Sequence, residues 1–129
     1  HGRIEAKVYY EDTDCLGVVY YANYLKYFER GRTEFLGGFG KTIGEWNEAG
    51  YLFAVYRMEI VFHRPAKLGD RLEVVTELKP KSDYRLIMPQ QLFREEEMLV
   101  ETRVELVCLD TTLEVREFPQ QLLDIAQGD

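Results

Sequence analysis

Three carboxylates lie close together just ahead of a predicted helix. Glu11, Asp12 and Asp14 precede Gly17, and the helix is predicted to open at Asn23. The first turn of a helix has N–H groups without intrahelical partners, and the helix dipole places partial positive charge there. A carboxylate beside such donors can act as a base or a nucleophile while an N–H group stabilises an oxyanion. On spacing alone, a turn or capping role for the aspartates is the favoured interpretation.

Other catalytic chemistries find little support among the residues of the chain. Ser82 is the only serine, and it lies in a predicted turn outside any G-x-S-x-G pattern. Cys15, His63 and a carboxylate are a conceivable thiol site, but a packed or partly exposed thiol is the favoured interpretation. No phosphate-binding glycine pattern occurs. Two histidines and two cysteines do not make a common zinc site, so we expect neither a metal nor a cofactor.

A helix and a leading strand must position these carboxylates. Alternating apolar residues predict a strand over residues 3–10, and a loop over 11–21 follows it. Apolar spacings of four, three and four residues then predict a long helix, with one face formed by Tyr24, Phe28, Gly31 and Phe35. Gly31 costs helix propensity, which indicates that a neighbouring backbone approaches closely.

The remaining elements are short or extended. A capping box formed by Thr42 and Glu45 predicts a second, short helix that Gly50 closes. Alternation predicts four more strands, near 52–63, 72–79, 84–88 and 100–108, and a brief helix after Pro119. Pro89 implies a bulge or an edge position because proline cannot donate to a ladder. The order predicts an α+β fold, a single domain over 1–129 in which a mostly antiparallel sheet covers one long helix.

Composition excludes several classes of function. The 129 residues include 16 basic and 23 acidic side chains, for a net charge of −7. An acidic chain disfavours binding to nucleic acid or to an anionic membrane surface. No apolar run is long enough to span a bilayer, and the start of the chain lacks a secretion signal. Two cysteines make no disulfide framework, which indicates a reduced, cytoplasmic protein.

The segment from Val8 to Leu36, VYYEDTDCLGVVYYANYLKYFERGRTEFL, resembles the signature of hotdog-fold acyl-CoA thioesterases of the 4-hydroxybenzoyl-CoA thioesterase and YbgC type. The resemblance implies a hotdog fold, in which an antiparallel sheet of five or slightly more strands wraps around a central helix. It also implies that Asp14 is the catalytic carboxylate. The backbone N–H of Tyr21, at the helix start, is implied as the donor to the thioester carbonyl.

One position departs from the YbgC pattern. Members of that branch often have histidine where this chain has Tyr21, whereas the 4-hydroxybenzoyl-CoA branch has tyrosine. The change is tolerable if the backbone N–H is the working group, and it reduces activity if an imidazole assists proton transfer.

Further substrate contacts are also implied by the resemblance. Basic residues on edge strands and turns of such enzymes often meet the phosphates of CoA, and the corresponding candidates here are Arg64, Lys67, Lys81 and Arg85. Solvated surface charge is an equally good interpretation of each. Trp46 is a candidate for an acyl pocket, although packing is the commoner role of such an aromatic residue.

Three functions remain open at this stage. The first is hydrolysis of an acyl-CoA thioester to free acid and CoA. The second is the same reaction on an acyl carrier protein, which the acidic charge of the chain disfavours unless a local basic patch overrides it. The third is a non-catalytic acyl-binding module. In the family, active sites form between paired subunits, so the resemblance implies a homodimer or a homotetramer built as a dimer of dimers.

Overall fold

The computed structural model describes residues 2–128, and only His1 and Asp129 lie outside this range. The strands are β1 (Gly2–Lys7), β2 (Leu52–Phe62), β3 (Arg71–Thr76), β4 (Lys79–Ser82), β5 (Arg85–Arg94), β6 (Glu97–Leu109) and β7 (Val115–Arg116). The helices are α1 (Tyr24–Leu36), α2 (Ile43–Glu48) and α3 (Gln120–Gly128), with short 3₁₀ turns at Tyr10–Asp12 and Tyr21–Asn23. Within residues 2–128, no helix is long and apolar enough to cross a membrane.

The strands form one antiparallel sheet in the order β1-β3-β5-β6-β2. Two short strands extend it, because β4 pairs with β5 and β7 pairs with β6. The predicted α+β class and the antiparallel sheet of five or slightly more strands are therefore confirmed, with seven strands among the described residues. The order also makes β2 an edge strand that has β6 as its one neighbour among the described residues.

Helix α1 packs on the sheet through the predicted face. Tyr24, Phe28 and Phe35 are all buried there. Gly31 lies so close to β3 and β5 that an added Cβ would come within 2.7 Å of Val74 Cγ1. It would also come within 2.9 Å of the side chains of Thr76 and Gln90. The close approach is therefore present, but side chains make it and not the neighbouring backbone that was predicted.

Pro89 corrects one expectation. It lies in the interior strand β5, opposite Arg103 of β6, and not at a bulge or on an edge strand. On the other side of Pro89 there is a gap between two strands that pair with β5. β3 pairs with β5 as far as Gln90, and β4 begins to pair with it at Ile87. The Pro89 carbonyl accepts a hydrogen bond from the Glu77 N–H at 3.0 Å in this gap. The missing N–H of proline therefore lies at a position where no paired strand would accept a hydrogen bond from it.

Candidate active site

Asp14 stands in a small hairpin that residues 13–19 form, here called the Asp14 hairpin. Thr13 pairs with Val19, and the Asp14 N–H donates to the Val18 carbonyl at 2.9 Å. Gly17 closes the turn with its N–H bonded to the Asp14 carbonyl at 3.1 Å. The φ angle of Gly17 is +78°, a conformation that favours glycine. The hairpin therefore fixes the backbone of Asp14 locally.

A second segment supports the hairpin from the side. The Val19 N–H donates to the Ala66 carbonyl at 2.9 Å, and the Leu68 N–H donates to the Gly17 carbonyl at 3.0 Å. This segment is itself anchored, because Asp70 forms an ion pair with Arg94 of β5 at 2.7 Å. Partial burial acts to raise the pKa of Asp70, but hydrogen bonds from Arg94 and the Lys67 N–H lower it overall.

The Asp14 carboxylate keeps hydrogen-bonding capacity free. Its Oδ1 atom accepts the Leu16 N–H at 2.8 Å, which fixes the side-chain rotamer. Its Oδ2 atom accepts no hydrogen bond from any residue within 2–128, and the side chain is half-buried. An ionised carboxylate can accept several hydrogen bonds, so Oδ2 remains able to bind a water molecule.

The start of the helix offers donors to the same region. The Tyr20 N–H is bonded to the Asp12 carbonyl at 3.0 Å, and the Asn23 N–H is bonded to the Tyr20 carbonyl at 2.8 Å. Among residues 2–128, no acceptor is found for the N–H groups of Tyr21 and Ala22, which lie between these two bonds. These N–H groups are therefore available to an anion at the positive end of the 3₁₀ turn and α1.

Exposed aromatic side chains border this helix start. The side chains of Tyr20, Tyr21 and Phe62 are 47%, 64% and 47% exposed. Tyr21 meets Phe62, at the end of edge strand β2, with ring centroids 6.5 Å apart. An apolar surface therefore borders the helix start at which Tyr21 carries its N–H group.

Two of the predicted basic residues lie at this end of the sheet. Lys67 pairs through its backbone with Val18 of the Asp14 hairpin, and its side chain is exposed. Arg64 is already engaged, because its Nε atom forms an ion pair with Glu97 at 3.0 Å.

The other two basic residues lie at the opposite end of the sheet. Lys81 and Arg85 both bind the carboxylate of Glu105, at 2.8 and 3.0 Å. The hydrogen bond from Lys81, aided by that from Arg85, lowers the pKa of Glu105. Arg85 begins β5 and Arg94 ends it, so about 30 Å separates them at roughly 3.3 Å per residue. Within one subunit the four predicted residues therefore do not form a single patch.

Trp46 is buried in the core. Its ring packs against Tyr51 and Phe53, with centroids 5.6 and 6.4 Å away. Phe53 lines a cavity of about 400 Å³ between α1, α2 and β2, and Trp46 lies behind it. The acyl-pocket role of Trp46 stays a prediction.

Sequence reasoning missed two residues of this region. Asn23 marks the start of α1, but its side chain donates from Nδ2 to the Asp12 carbonyl at 2.9 Å instead of capping the helix. Tyr27 places a buried hydroxyl on the same side of α1. Asn23 carried a signal, since asparagine at a helix start invites a search for its partner, whereas Tyr27 looked like one more core aromatic residue.

Comparison with known proteins gives consistent matches along the chain. The profile of a family described as the Thioesterase-like superfamily matches residues 8–125. Acyl-CoA thioester hydrolase YbgC from Escherichia coli is 34% identical over 123 residues, which cover 94% of this chain and 92% of that protein. Acyl-CoA thioesterase YbgC from Haemophilus influenzae is 41% identical over 105 residues, or 81% of this chain and 77% of that protein.

Solved structures share the fold. Slr0204, a 1,4-dihydroxy-2-naphthoyl-CoA thioesterase from Synechocystis, superposes with a TM-score of 0.87. Sequence identity is 22%, and the match covers 97% of this chain and 94% of that chain. At this identity the similarity concerns the fold alone, and it confirms the expected sheet around a central helix.

Proposed function

This chain belongs to the Thioesterase-like superfamily, and we propose that it hydrolyses an acyl-CoA thioester to a free acid and CoA. The single observation that carries the proposal is a pairing of free groups in one loop. Among the described residues 2–128, no donor is bonded to one carboxylate oxygen of Asp14, and no acceptor is bonded to the backbone N–H of Tyr21 seven residues later. A base or nucleophile beside an oxyanion donor is the minimum that acyl transfer needs.

Asp14 supplies the carboxylate chemistry in one of two ways. As a base, it takes a proton from water while the water oxygen bonds to the thioester carbon. As a nucleophile, its oxygen bonds to that carbon and gives an anhydride, which water then hydrolyses. In both routes the C–S bond breaks and CoA leaves as a thiolate, which is then protonated.

The Tyr21 N–H stabilises the negative charge that develops on the carbonyl oxygen. The partial positive charge of the helix start adds to this effect. Because the donor is a backbone group, tyrosine in place of the histidine common in the YbgC branch leaves it intact. The exposed Tyr21 ring is then free to contact the substrate.

The test is turnover of a panel of aliphatic, hydroxylated and aromatic acyl-CoAs, measured by a thiol reagent that detects free CoA. We expect Asp14→Asn to lower kcat by about 10²–10⁴-fold, as removal of a general base does. Asparagine keeps an oxygen that accepts the Leu16 N–H, so the hairpin should be preserved.

Asp124→Asn is the matched control. Asp124 lies on α3, and its Oδ1 atom accepts a hydrogen bond from Gln120 that an asparagine oxygen can also accept. We expect this variant to keep the turnover of the original chain. Retained turnover in Asp14→Asn would contradict the assignment of Asp14.

Lys67 is the strongest candidate for contact with the CoA phosphates. It is exposed, it borders the Asp14 hairpin, and none of the ion pairs within residues 2–128 uses its ammonium group. Arg64 and Lys81 are weaker candidates because each is engaged with a glutamate.

A homodimer would complete the site through the open edge of β2. This edge carries Val55, Tyr56, Val61 and Phe62, which are 47–60% exposed. Strand edges with exposed apolar residues favour pairing with a second chain. An antiparallel two-fold pairing about the middle of β2 brings the start of the partner's strand opposite Phe62. Tyr56, on whose ring Arg85 stacks at 3.8 Å, then lies close to the two-fold axis. A monomer mass in light scattering at micromolar concentration would contradict this arrangement.

The proposed compartment is the cytoplasm. Its support is that Cys15 and Cys108 are both free thiols, Cys15 being exposed and Cys108 buried. Exposed free thiols persist best in a reducing environment.

A further inference from the structure

We propose that Asn23 is a positioning residue that holds the Tyr21 N–H in register with Asp14. The inference rests on the proposed function, in which these two groups act on one thioester. Within residues 2–128, the Asn23 side chain forms no hydrogen bond with Asp14 or Tyr21. It acts through the Asp12 carbonyl, to which its side chain is bonded.

The bond made by Asn23 is unusual for its place in the chain. An asparagine just before a helix ordinarily accepts an N–H of the first turn through its side-chain oxygen. Asn23 has helical φ and ψ angles of −73° and −18°, and its side chain makes no capping bond. Its Nδ2 atom instead donates to the Asp12 carbonyl, 11 residues earlier, at 2.9 Å. The side chain therefore joins the start of α1 to Asp12, which lies just ahead of the Asp14 hairpin.

Asp12 is the point at which the loop and the helix start meet. Its carbonyl also accepts the Tyr20 N–H at 3.0 Å, and its Oδ2 atom accepts the Tyr9 N–H at 2.9 Å. Asp12 precedes Asp14 by two residues, and Tyr20 directly precedes Tyr21. Any shift of Asp12 relative to α1 therefore changes the separation of the carboxylate and the N–H donor.

Tyr27 places a buried hydroxyl on the same side of α1 as Asn23. It follows Asn23 by four residues, so both side chains lie on one helix face. Its hydroxyl is buried and makes no hydrogen bond of normal geometry within residues 2–128. Burial raises the pKa of Tyr27, and the nearby Asp12 carboxylate raises it further. The buried hydroxyl therefore lies near Asp12, without a hydrogen bond to it within residues 2–128.

Loss of the hydrogen bond between Asn23 and the Asp12 carbonyl should lower the rate of the chemical step more than it lowers the affinity for substrate. Misplacement of reacting groups by about 1 Å can cost about 10²-fold in rate. The candidate CoA contacts lie elsewhere, so KM should change little. A role limited to stability would instead lower the folding midpoint and leave kcat of the folded enzyme intact.

Asn23→Asp is the informative substitution. At neutral pH an aspartate is an acceptor only, so it cannot donate to the Asp12 carbonyl, whereas the protonated acid can. We expect kcat to fall by about 10- to 100-fold at pH 8 with KM within about two-fold. The ratio of variant to unsubstituted kcat should recover only as the pH is lowered towards 4, where an aspartate of ordinary pKa is about half protonated. Asn23→Ala should show the same loss without the recovery.

Gln121→Glu is the matched control, since Gln121 also donates a side-chain amide to a backbone carbonyl, that of Phe39, at 2.7 Å. It should leave kcat within about two-fold at every pH. Full activity of both Asn23 variants, or activity lost only in proportion to unfolded protein, would overturn the inference.

Amide NMR spectra of the ligand-free chain separate this inference from the proposed function. Asn23→Asp should shift the Tyr21 and Asp14 amide resonances at pH 8, and Gln121→Glu should not. Unmoved resonances overturn the positioning role even if the enzyme is active. Shifted resonances in a chain that hydrolyses no acyl-CoA support the positioning and refute the proposed function.

Discussion

The two ends of the sheet treat their charged groups in opposite ways. At the end that holds Glu105, one carboxylate is bound by Lys81 and Arg85, and Arg85 also stacks on Tyr56. At the end that holds Asp14, one carboxylate oxygen and the Tyr21 N–H have no partner among residues 2–128. The groups able to react with a ligand are therefore those that the fold leaves without hydrogen-bond partners near the surface. The presence of a charged side chain does not by itself identify such a site.

A carboxylate-to-amide change at Glu105 tests the difference between the two ends of the sheet. Glu105→Gln removes the charge that Lys81 and Arg85 share, so we expect a fall of several degrees in Tm. The kcat of the folded enzyme should stay within about two-fold of the original value. Thermal denaturation and CoA release measure the two effects, and a loss of kcat at unchanged Tm would show that this end also serves catalysis.

A second test concerns the support of the Asp14 hairpin. The pKa of Asp70 is lowered in the folded chain, so its contribution to stability is present above the usual aspartate pKa of about 3.9 and is lost as the pH falls through the lowered value. Asp70→Asn lacks this contribution. We expect its Tm to lie below that of the original chain at pH 7, and the gap to close in acid.

Melting curves of both proteins between pH 7 and pH 2.5 make this measurement. A gap that persists at the lowest pH would show that the Asp70 carboxylate does not stabilise the fold through its charge.

The smallest expected effect compares one lysine from each end. Lys67→Ala should raise KM for an acyl-CoA about three- to five-fold, the scale of an exposed ion pair, and less so at high salt. Lys81→Ala should change KM by less than about two-fold, because Glu105 already neutralises that charge. Equal effects of the two substitutions would remove the distinction between the ends as far as CoA binding is concerned.

Local patterns predicted most of the elements, because their causes are local. The four-three-four apolar spacing placed α1, and the Thr42–Glu45 capping box is present at the start of α2. The prediction of a bulge or an edge position for Pro89 was wrong. An interior strand accommodates this proline because β3 and β4 leave a gap opposite it, and the residues around Pro89 do not reveal that gap. The resemblance named Arg64, Lys67, Lys81 and Arg85 together as candidates for the CoA phosphates, but it could not show that they lie at opposite ends of the sheet, since spacing in sequence does not give position along a strand.

The sequence by itself determined most of the elements, the tight packing at Gly31 and the carboxylate–glycine loop before a helix, because periodicity, steric demand and turn chemistry act over a few residues. The tertiary structure decided which groups stay free. The Asp14 Oδ2 atom, the Tyr21 N–H and the Asn23 amide owe their partners, or the absence of partners within residues 2–128, to the packing of the loop against α1 and the 66–70 segment. Hydrogen bonds between distant segments form only when the chain has folded, so no local pattern records them.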